Sequence, residues 1–502
     1  MSLYDQYPVS IYNSLKKEKE VFKPIHEGRV GMYVCGPTVY SDVHLGNVRT
    51  FVSFDVMFRY LKYLGYKVRY VRNITDVGHL VGDADEGEDK IAKKARLEEL
   101  EPMEVVQKYT NGFHDVMDMF NAIPPSIEPT ATGHIVEQIE FIKQIIDNGY
   151  AYEKDGSVYF DVRKYSQDHK YGELSGRNIE DMLSNTRELS GQDQKNDPLD
   201  FALWKNAESG HLMRWPSPWG IGFPGWHLEC SVMSTKYLGE KFDIHGGGMD
   251  LKFPHHEAEI AQNKGCTHSG GANYWVHGNM LTVNGRKMAK SEGNGFTPEQ
   301  LLTGDHKLLE RGYSPMTVRF FMLMSHYAST LDFSNEALQA AEKGYKRLMA
   351  SVNLIEKLGQ PGGSVDKEKS AELTSVIDQA LKDLSDDFNT AKAVASLFDL
   401  STKINTFYQQ PGELAKIDPE AFEYAIKHFK GIIFDVLGLR NEGEIAQDGK
   451  TLDGVMQVLI ELRKQAKFSK NYALSDKIRD DLKEAGVQLK DEKGGEMSYT
   501  ID

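Results

Sequence analysis

Cysteine is scarce in this chain, and long apolar runs are missing. Three cysteines occur in 502 residues, Cys35, Cys230 and Cys266, which excludes a disulfide scaffold and is typical of a protein kept in a reducing compartment. No apolar run reaches the roughly 18 residues of a membrane span, and residues 1–12 lack the basic and apolar regions of a secretory signal. We therefore expect a cytoplasmic protein that has no membrane partner.

Net positive charge is lacking as well. The chain has 59 Lys and Arg residues against 74 Asp and Glu residues, a formal net charge of −15. Nucleic acids are normally bound by basic surfaces, so a nucleic-acid site here requires a local basic cluster. Each candidate cluster alone is more often a solvated face: Lys287 with Lys290; Lys307, Arg311 and Arg319; Arg463, Lys464, Lys467 and Lys470.

The first part of the chain lacks the two common phosphate-binding loops. Alternating apolar residues predict a strand over residues 29–34, helical spacing predicts a helix from Asn47 to Leu64 that stops at Gly65, and residues 66–74 predict a second strand. Neither GxGxxG nor GxxxxGK[ST] occurs in this unit, which disfavours a dinucleotide enzyme and a P-loop ATPase. The βαβ pattern instead predicts a parallel sheet that holds a nucleotide at the carboxyl ends of its strands.

Two short signatures lie far apart in the sequence, HLGN at residues 44–47 and KMAKS at residues 287–291. Alone, the first is usually a helix cap and the second a solvated basic turn. In this order they resemble the HIGH and KMSKS signatures of class I aminoacyl-tRNA synthetases, which activate an amino acid with ATP. An amino-acid carboxylate is already ionised at neutral pH, so its attack on phosphorus needs alignment and positive charge rather than a general base.

Several potential metal ligands lie near predicted strand ends. Cys35 follows the first strand, Cys230 lies beside a second apolar stretch, and His255 and Glu259 are four residues apart on one face of a predicted helix. Two thiolates, an imidazole and a carboxylate form a reasonable Zn²⁺ site, although a buried free cysteine is usually a core residue. The spacing leaves other donors open: His256, Glu257, Cys266 and His268.

Longer motifs narrow the resemblance. CGPTVY at 35–40, NITD at 73–76, GWHLECS at 225–231 and FDIHGGGMDLKFPHHEAE at 242–259 occur in order before KMAKS. Together they resemble the cysteinyl-tRNA synthetase family over essentially the whole chain. The resemblance implies activation of L-cysteine with ATP to cysteinyl-adenylate and pyrophosphate, followed by transfer to the 3′-terminal adenosine of tRNA(Cys).

The resemblance also implies roles for individual residues. One Zn²⁺ per chain would be held by Cys35, Cys230, His255 and Glu259 and would bind the substrate thiol, with Mg²⁺ accompanying ATP. The catalytic residues would be His44, Asn47, Lys287 and Lys290. ATP would be bound by His44, Asn47, His245, Gly246, Gly247 and Lys290. Cysteine would be bound by Thr75, Trp226 and Asp250. Asn47 replaces the final His of HIGH and Ala289 replaces the Ser of KMSKS, and we expect altered rates at most.

The implied architecture is α/β, a class I Rossmann-like catalytic domain with an inserted connective domain, then an α-helical bundle and a small C-terminal α/β anticodon-binding domain. The expected boundaries are 1–130 with 225–285 for the catalytic domain, 131–224 for the insertion, 286–332 for the KMSKS-loop and stem-contact region, 333–440 for the bundle and 451–502 for the last domain. A polar linker is expected over 440–450. Ser334 is the expected N-cap of the first bundle helix.

By the same resemblance, anticodon contacts fall on Lys467, Tyr472, Asp476 and Asp491. An aromatic ring can stack on a base, and Asp can accept from base amino groups. Lys467 stands where some members have Arg, and Tyr472 where some have Trp. The expected partners are tRNA(Cys), ATP and L-cysteine, with the protein a monomer.

One segment is given no catalytic role. The acidic run within residues 83–89, followed by Lys90, is interpreted as a solvated loop leading into a helix.

Two alternatives remain open from the sequence. A cysteine:amino-sugar ligase of the mycothiol type also makes cysteinyl-adenylate and resembles this chain through the catalytic half, but such a ligase has no need of an anticodon reader. The other alternative is a non-catalytic zinc- and nucleotide-binding protein. Retention of His44, Lys287 and Lys290 with all four candidate ligands argues against it.

Overall fold

The computed structural model describes residues 2–80, 89–179, 195–208, 210–288, 294–491 and 497–501. The chain divides into two compact units, Met1–Leu439 and Arg440–Asp502. None of the helices in the described part is long and apolar enough to cross a bilayer.

Strands of the described residues fall into five sheets. They are β1 (Ser10–Asn13), β2 (Glu18–Val21), β3 (Arg29–Val34), β4 (Lys67–Arg72), β5 (Ala151–Lys154), β6 (Ser157–Phe160), β7 (Phe201–Asn206), β8 (Trp215–Ser217), β9 (Gly220–Pro224), β10 (Lys241–Gly248), β11 (Gly271–Gly278), β12 (Leu281–Val283), β13 (Arg286–Lys287), β14 (Leu331–Phe333), β15 (Val487–Asp491) and β16 (Met497–Ile501).

The α-helices of the same residues are α1 (Leu3–Gln6), α2 (Leu45–Tyr63), α3 (Lys90–Glu98), α4 (Pro102–Met119), α5 (Ile135–Asp147), α6 (Val162–Asp168), α7 (Leu228–Leu238), α8 (His255–Thr267), α9 (Pro298–Thr303), α10 (Pro315–Leu323), α11 (Asn335–Ile355), α12 (Lys367–Ser385), α13 (Thr390–Gln409), α14 (Pro411–Leu414), α15 (Pro419–Gly431), α16 (Glu442–Phe468) and α17 (Tyr472–Glu484).

The central sheet is parallel and has the strand order β11-β10-β3-β4. The chain runs from β3 through α2 to β4 on one side, and later adds β10 and β11 on the other. The strand order therefore reverses between β3 and β10, and such a switch point opens a crevice at the carboxyl ends of the strands. The predicted parallel sheet is confirmed, and its crevice is where the signature residues meet.

Helix α2 begins two residues before the predicted Asn47, because His44 caps it. His44 Nδ1 accepts a hydrogen bond from the Asn47 N–H at 3.3 Å, and Asn47 Oδ1 accepts one from the His44 N–H at 3.2 Å. This reciprocal pair is a capping box made with His and Asn in place of the usual Ser and Glu. It fixes the helix start at the rim of the crevice.

A buried charge cluster joins α2 to α10. Asp55 on α2 accepts hydrogen bonds from Arg59 Nε at 2.8 Å and from Arg319 Nη2 at 2.5 Å, and its other oxygen accepts from the Ile123 N–H at 2.8 Å. The Asp55 side chain is 3% exposed and that of Arg319 is fully buried. The charges are thus satisfied within the protein, as buried ions must be.

The region between the two halves of the catalytic fold forms an antiparallel sheet of its own, with the order β5-β6-β7-β9-β8. Phe160, Tyr165 and Trp204 are buried in its core. After β14, helices α11 to α15 follow one another, and the Ser334 hydroxyl accepts from the Ala337 N–H, which confirms the predicted N-cap.

The second unit contains α16, α17 and the antiparallel pair β15–β16. The expectation of a polar linker over residues 440–450 is wrong, since the backbone is helical from Glu442 onward. Residues such as Glu442, Ile445, Ala446 and Gln447 have no strong bias against a helix, and polarity alone did not separate a solvated helix from a loop.

Candidate active site

A cavity of about 420 Å³ opens at the carboxyl ends of β3 and β10. Its walls include side chains from the HLGN signature, from the CGPTVY and NITD motifs and from the segment around Trp226. The predicted site residues that line it are Cys35, His44, Asn47, Thr75, Trp226, Cys230, Asp250 and His255. Residues separated by up to 220 positions in sequence therefore face one space.

The four predicted metal ligands lie together at the buried end of this cavity. Cys35 Sγ is 3.5 Å from Cys230 Sγ and 3.6 Å from Glu259 Oε1, and His255 Nε2 is 3.3 Å from Glu259 Oε1. One donor atom from each of the four lies within 4.8 Å of the others. Around a tetrahedral Zn²⁺ with Zn–S of about 2.3 Å and Zn–N or Zn–O of about 2.0–2.2 Å, neighbouring donors are about 3.4–3.8 Å apart. The donor set and its spacing fit such an ion.

Local structure explains how these donors converge. The Cys35 N–H donates to the Gly246 carbonyl at 3.1 Å, which ties the end of β3 to β10. Cys230 is in the first turn of α7, and His255 and Glu259 are on consecutive turns at the start of α8. All four are buried, with exposures between 0% and 6%.

Burial alone would keep three of the donors, Cys35, Cys230 and His255, uncharged. It raises the pKa of the Cys35 thiol well above its usual value and that of Cys230 to about 12, and it lowers the pKa of His255 well below its usual value. A neutral imidazole is the metal-binding form of histidine, and a bound cation favours thiolate over thiol. The buried site is thus suited to a divalent ion that compensates the two thiolates.

A second donor set overlaps the first. Cys35, His245, His256 and Glu259 also offer atoms within 4.8 Å of one another. His256 Nε2 is 3.3 Å from Cys35 Sγ, and His245 Nε2 is 2.8 Å from Glu259 Oε2, so each of these imidazoles contacts a donor of the first set. The first set has two thiols, and three of its donors, Cys35, Cys230 and His255, line the cavity, which favours it for Zn²⁺.

The other sequence alternatives lie in neither described donor set. Glu257 accepts from the backbone N–H groups of Leu174 and Ser175. Cys266 belongs to the apolar core of the antiparallel-sheet region. His268 ends α8 in the left-handed conformation.

Thr75, one of the predicted cysteine-pocket residues, contacts a carboxyl group that the sequence did not single out. Thr75 Oγ1 donates to Glu229 Oε1 at 2.5 Å and accepts from Asn73 Nδ2 at 3.1 Å. Glu229 lines the cavity, is 2% exposed, and its pKa is raised well above its usual value by burial. Its position directly before Cys230 in the GWHLECS motif was the available signal. Asp250 is exposed at the cavity mouth.

The predicted ATP residues separate into two groups. His44 and Asn47 line the cavity, whereas His245, Gly246 and Gly247 are buried in β10 and none of the three is among its described lining residues. The His245 ring stacks on Trp275 with ring centroids 4.4 Å apart. A side chain at Gly246 would meet the Phe54 ring at 2.2 Å, so close packing already accounts for that glycine.

The KMAKS segment is described only in part. The backbone of Lys287 ends β13, and Met288 lines the cavity. The Lys287 side chain, Ala289, Lys290 and Ser291 lie outside the described residues. The signature therefore begins at the cavity edge, and the positions of its lysines remain a prediction.

Comparison with known proteins identifies the family. The model of the tRNA synthetases class I (C) catalytic domain matches residues 21–343, and the DALR domain matches residues 381–441. Cysteine–tRNA ligases of Porphyromonas gingivalis and Bacteroides fragilis are each 54% identical to this chain, over 98% of it and over 99% and 98% of their own lengths. This chain belongs to the cysteine–tRNA ligase family. The Deinococcus radiodurans cysteine–tRNA ligase is 48% identical over 97% of the chain and 96% of its own length.

Solved structures agree on the fold of this family member. Methionyl-tRNA synthetase from Mycobacterium tuberculosis, in complex with methionyl-adenylate, superposes with a TM-score of 0.59 at 14% identity, covering 82% of this chain and 92% of that one. The predicted class I fold is confirmed. The near-full-length match to cysteine–tRNA ligases disfavours the mycothiol-type alternative.

The predicted anticodon residues of this cysteine–tRNA ligase family member lie in its second unit. Tyr472 begins α17 and is 62% exposed. Asp476 is one turn further on, and its carboxylate is 3.2 Å from Arg479 on the same helix. Lys467 is in the last turn of α16, and Asp491 ends β15 with its side chain outside the described atoms. The exposed ring and carboxylate are available to a partner.

The segment after Asp76 holds residues that sequence reasoning missed. The backbone of residues 78–80 is joined to Asp89 and Lys90 by hydrogen bonds and a β-bridge. The other acidic residues of the run lie outside the described residues: Asp83, Asp85, Glu86 and Glu88. The interpretation as a solvated loop is wrong for Asp89, which is 4% exposed and caps α3. It is also wrong for Lys90, which lines the cavity. The signal available was only the capping pattern, an Asp before a helix.

Proposed function

We propose that this protein is a cysteine–tRNA ligase that works through the cavity between β3 and β10. It forms cysteinyl-adenylate and pyrophosphate from L-cysteine and ATP, then transfers cysteine to the 3′-terminal adenosine of tRNA(Cys). The observation that carries the proposal is the convergence of two thiols, an imidazole and a carboxylate beside the helix start at His44. A thiol-binding metal site next to a phosphate-binding helix start suits an enzyme that activates cysteine.

Cys35, Cys230, His255 and Glu259 would hold one Zn²⁺. Held by these residues, the ion would supply a Lewis acid for the substrate sulfur as thiolate, with the thiol proton released to solvent, and this would distinguish cysteine from serine, whose hydroxyl ionises far less readily. A pocket that relied on shape alone would separate such near-isosteres poorly. The support for the ion is the donor spacing together with the burial of all four donors.

The remaining residues align the reactants. The carboxylate oxygen of cysteine attacks the α-phosphorus of ATP while the bond from that phosphorus to the pyrophosphate oxygen breaks, so no proton has to move at the nucleophile. The side chains of His44 and Asn47 and the positive end of the α2 dipole would receive the phosphates. Lys287 and Lys290 would bring positive charge, Mg²⁺ would accompany ATP, and His245, Gly246 and Gly247 would support the nucleotide from β10.

The amino-acid end of the cavity would be formed by Thr75, Trp226 and Asp250. Thr75 is held by its hydrogen bond to Glu229, and Trp226 presents an apolar face. The Asp250 carboxylate at the cavity mouth could pair with the α-ammonium group of the substrate. These three residues line the same cavity as the metal donors Cys35, Cys230 and His255.

The domain boundaries follow the same division of labour. Residues 1–130 and 225–285 would form the catalytic domain, and residues 131–224 would form the insertion. Residues 286–332 would link catalysis to tRNA, and residues 333–440 would form the helical bundle. Residues 451–502 would form the anticodon domain, which would contact the anticodon through Lys467, Tyr472, Asp476 and Asp491. The proposed functional unit is a monomer.

The test is cysteine-dependent exchange of pyrophosphate into ATP, followed by acceptor assays. We expect exchange with L-cysteine and almost none with L-serine, and transfer to tRNA(Cys) but not to an amino sugar. Absence of cysteine-dependent exchange in zinc-loaded protein would refute the proposal, and transfer to the amino sugar instead of tRNA would restore the mycothiol-type alternative.

A further inference from the structure

Lys90 is the one Lys or Arg among the described residues that line the active-site cavity. Three carboxyl groups, those of Asp42, Glu229 and Asp250, line the same space. An amino acid and ATP bring a carboxylate and a chain of phosphates into it, and anions in a confined site need a facing cation. Lys90 begins α3, far in sequence from Lys287 and Lys290 of the KMAKS segment, so it is a source of positive charge separate from that segment.

The position of Lys90 is fixed by the backbone. Its N–H donates to the His79 carbonyl at 2.9 Å, and Asp89 Oδ2 accepts from the Gly78 N–H at 2.9 Å. Asp89 Oδ1 also caps α3 by accepting from the Ile91 N–H at 2.8 Å. These hydrogen bonds hold residues 78–79 against Asp89 and Lys90. Lys90, the first residue of α3, is thereby held at the cavity wall.

The side chain of Lys90 is oriented by aromatic neighbours. Its Nζ lies 2.6 Å from His79 Nε2 and 5.6 Å from the centre of the Tyr40 ring. A lysine ammonium donates, so His79 Nε2 accepts and its Nδ1–H donates to Thr38 Oγ1 at 2.9 Å. The His79 ring lies flat on Trp226, with centroids 3.8 Å apart and planes inclined by 10°.

Gly78 makes this arrangement possible. Its φ of +84° is in the left-handed region, and a Cβ there would lie 2.5 Å from the Pro224 carbonyl oxygen. The segment can therefore approach the strand that leads to Trp226 closely enough for the two rings to stack.

We propose that Lys90 is a further catalytic residue, whose ammonium binds the reacting anions of the adenylation step, the substrate carboxylate or the α-phosphate of ATP, while His79 positions it. This inference rests on the proposed function. Negative charge is redistributed around phosphorus as the carboxylate attacks, and a cation that the protein already holds in place is most effective there. His79 acts through Lys90 and Trp226 and is a positioning residue.

The test compares four variants of the zinc-loaded full chain in cysteine-dependent pyrophosphate exchange. Lys90→Met removes the charge, and Lys90→Gln removes it while keeping an N–H donor for His79. Lys90→Arg keeps the charge. Lys93→Met, on the same helix but absent from the cavity wall, is the matched control. We expect K90M and K90Q to lose on the order of 10²-fold in turnover or in kcat/KM, with K90R retaining more activity than either and K93M unchanged.

Binding of cysteine alone and of ATP alone identifies the anion. Weaker cysteine binding assigns Lys90 to the carboxylate, weaker ATP binding assigns it to the phosphates, and a loss of turnover with both affinities kept assigns it to the transition state.

A K90Q enzyme whose exchange turnover and kcat/KM are within threefold of those of K93M would overturn the proposal, because the lysine would then serve only as a hydrogen-bond donor to His79. If K90M fails to fold, K90Q and K90R still decide the question. If K93M shows no cysteine-dependent exchange, the proposed function fails instead.

Discussion

The sulfur atoms of Cys35 and Cys230 lie 3.5 Å apart, although 195 residues separate them in the chain. One follows β3 of the central sheet and the other lies in the first turn of α7, so the pair forms only when both halves of the catalytic fold have assembled. The whole region between the halves, including the antiparallel sheet, is inserted between these two donors. A metal held by both would therefore join the halves of the fold as well as bind the substrate.

Metal content is the first prediction. Cys230→Ala or His255→Ala should reduce bound zinc from about one per chain and weaken cysteine binding together, because each removes a donor from a four-donor site. Cys266→Ala is the matched control, since Cys266 is an apolar core residue away from both donor sets. Metal analysis and cysteine titration on the same preparations provide the measurement. Full cysteine activation by zinc-free protein would contradict the role given to the ion.

The second prediction concerns the KMAKS loop. Lys290→Ala should lower the turnover of pyrophosphate exchange on the order of 10²-fold or more, since its charge is expected to act mainly in the transition state. Cysteine binding measured without ATP should change little. Exchange kinetics over a range of ATP concentrations separate turnover from affinity. An unchanged turnover would show that Lys290 has been assigned wrongly.

The third prediction concerns stability and uses the buried charge cluster of α2. Asp55→Ala should reduce the free energy of unfolding by about 3–5 kcal/mol, because it leaves the guanidinium groups of Arg59 and Arg319 without their carboxylate. Glu140→Ala breaks an ion pair with Lys143 in which both side chains are largely exposed, and it should cost about 1 kcal/mol or less. Denaturant unfolding of both variants is the measurement. Equal losses would mean that burial does not govern the strength of these pairs.

The parts of the structure that the sequence predicted well are those with local patterns. The βαβ unit, the start of α11 at Ser334 and the i,i+4 pair His255 and Glu259 each depend on residues within a few turns of one another. Such patterns reflect local geometry. Only the family resemblance, and not periodicity, linked these pieces into one site.

The contacts that the sequence did not predict join distant segments. The stacking of His79 on Trp226 and the hydrogen bond from Thr75 to Glu229 each join positions about 150 apart, and no spacing rule connects them. Lys90 was hidden for another reason. It belongs to a charged run, and in such runs the members that face solvent and those that turn inward look the same in sequence. Helix α16 shows the same ambiguity, because polar residues suit both a linker and a solvated helix.

The fourth prediction separates activation from tRNA selection. Asp476 is exposed on α17 beside Arg479, and a surface ion pair of this kind is weak enough to be exchanged for a base contact. Asp476→Ala should therefore leave cysteine-dependent pyrophosphate exchange nearly intact while weakening charging of the GCA-anticodon tRNA by about 1–3 kcal/mol, roughly ten- to a hundredfold. Asp480→Ala, which also removes a carboxylate next to Arg479, is the matched control and should leave charging unchanged.

A truncation extends this test to the whole second unit. The truncated protein should end at Leu439, the last residue of the first unit, because removing only residues 451–502 would divide α16. We expect the shortened protein to retain pyrophosphate exchange and to lose most discrimination between tRNA(Cys) and an anticodon-mutated tRNA. Both reactions must be measured on the same preparation, since a loss of exchange would indicate a folding defect rather than a loss of recognition. Charging of both tRNAs at the rates of the full chain would mean that the second unit does not read the anticodon, and that selection of tRNA depends on contacts made by the first unit.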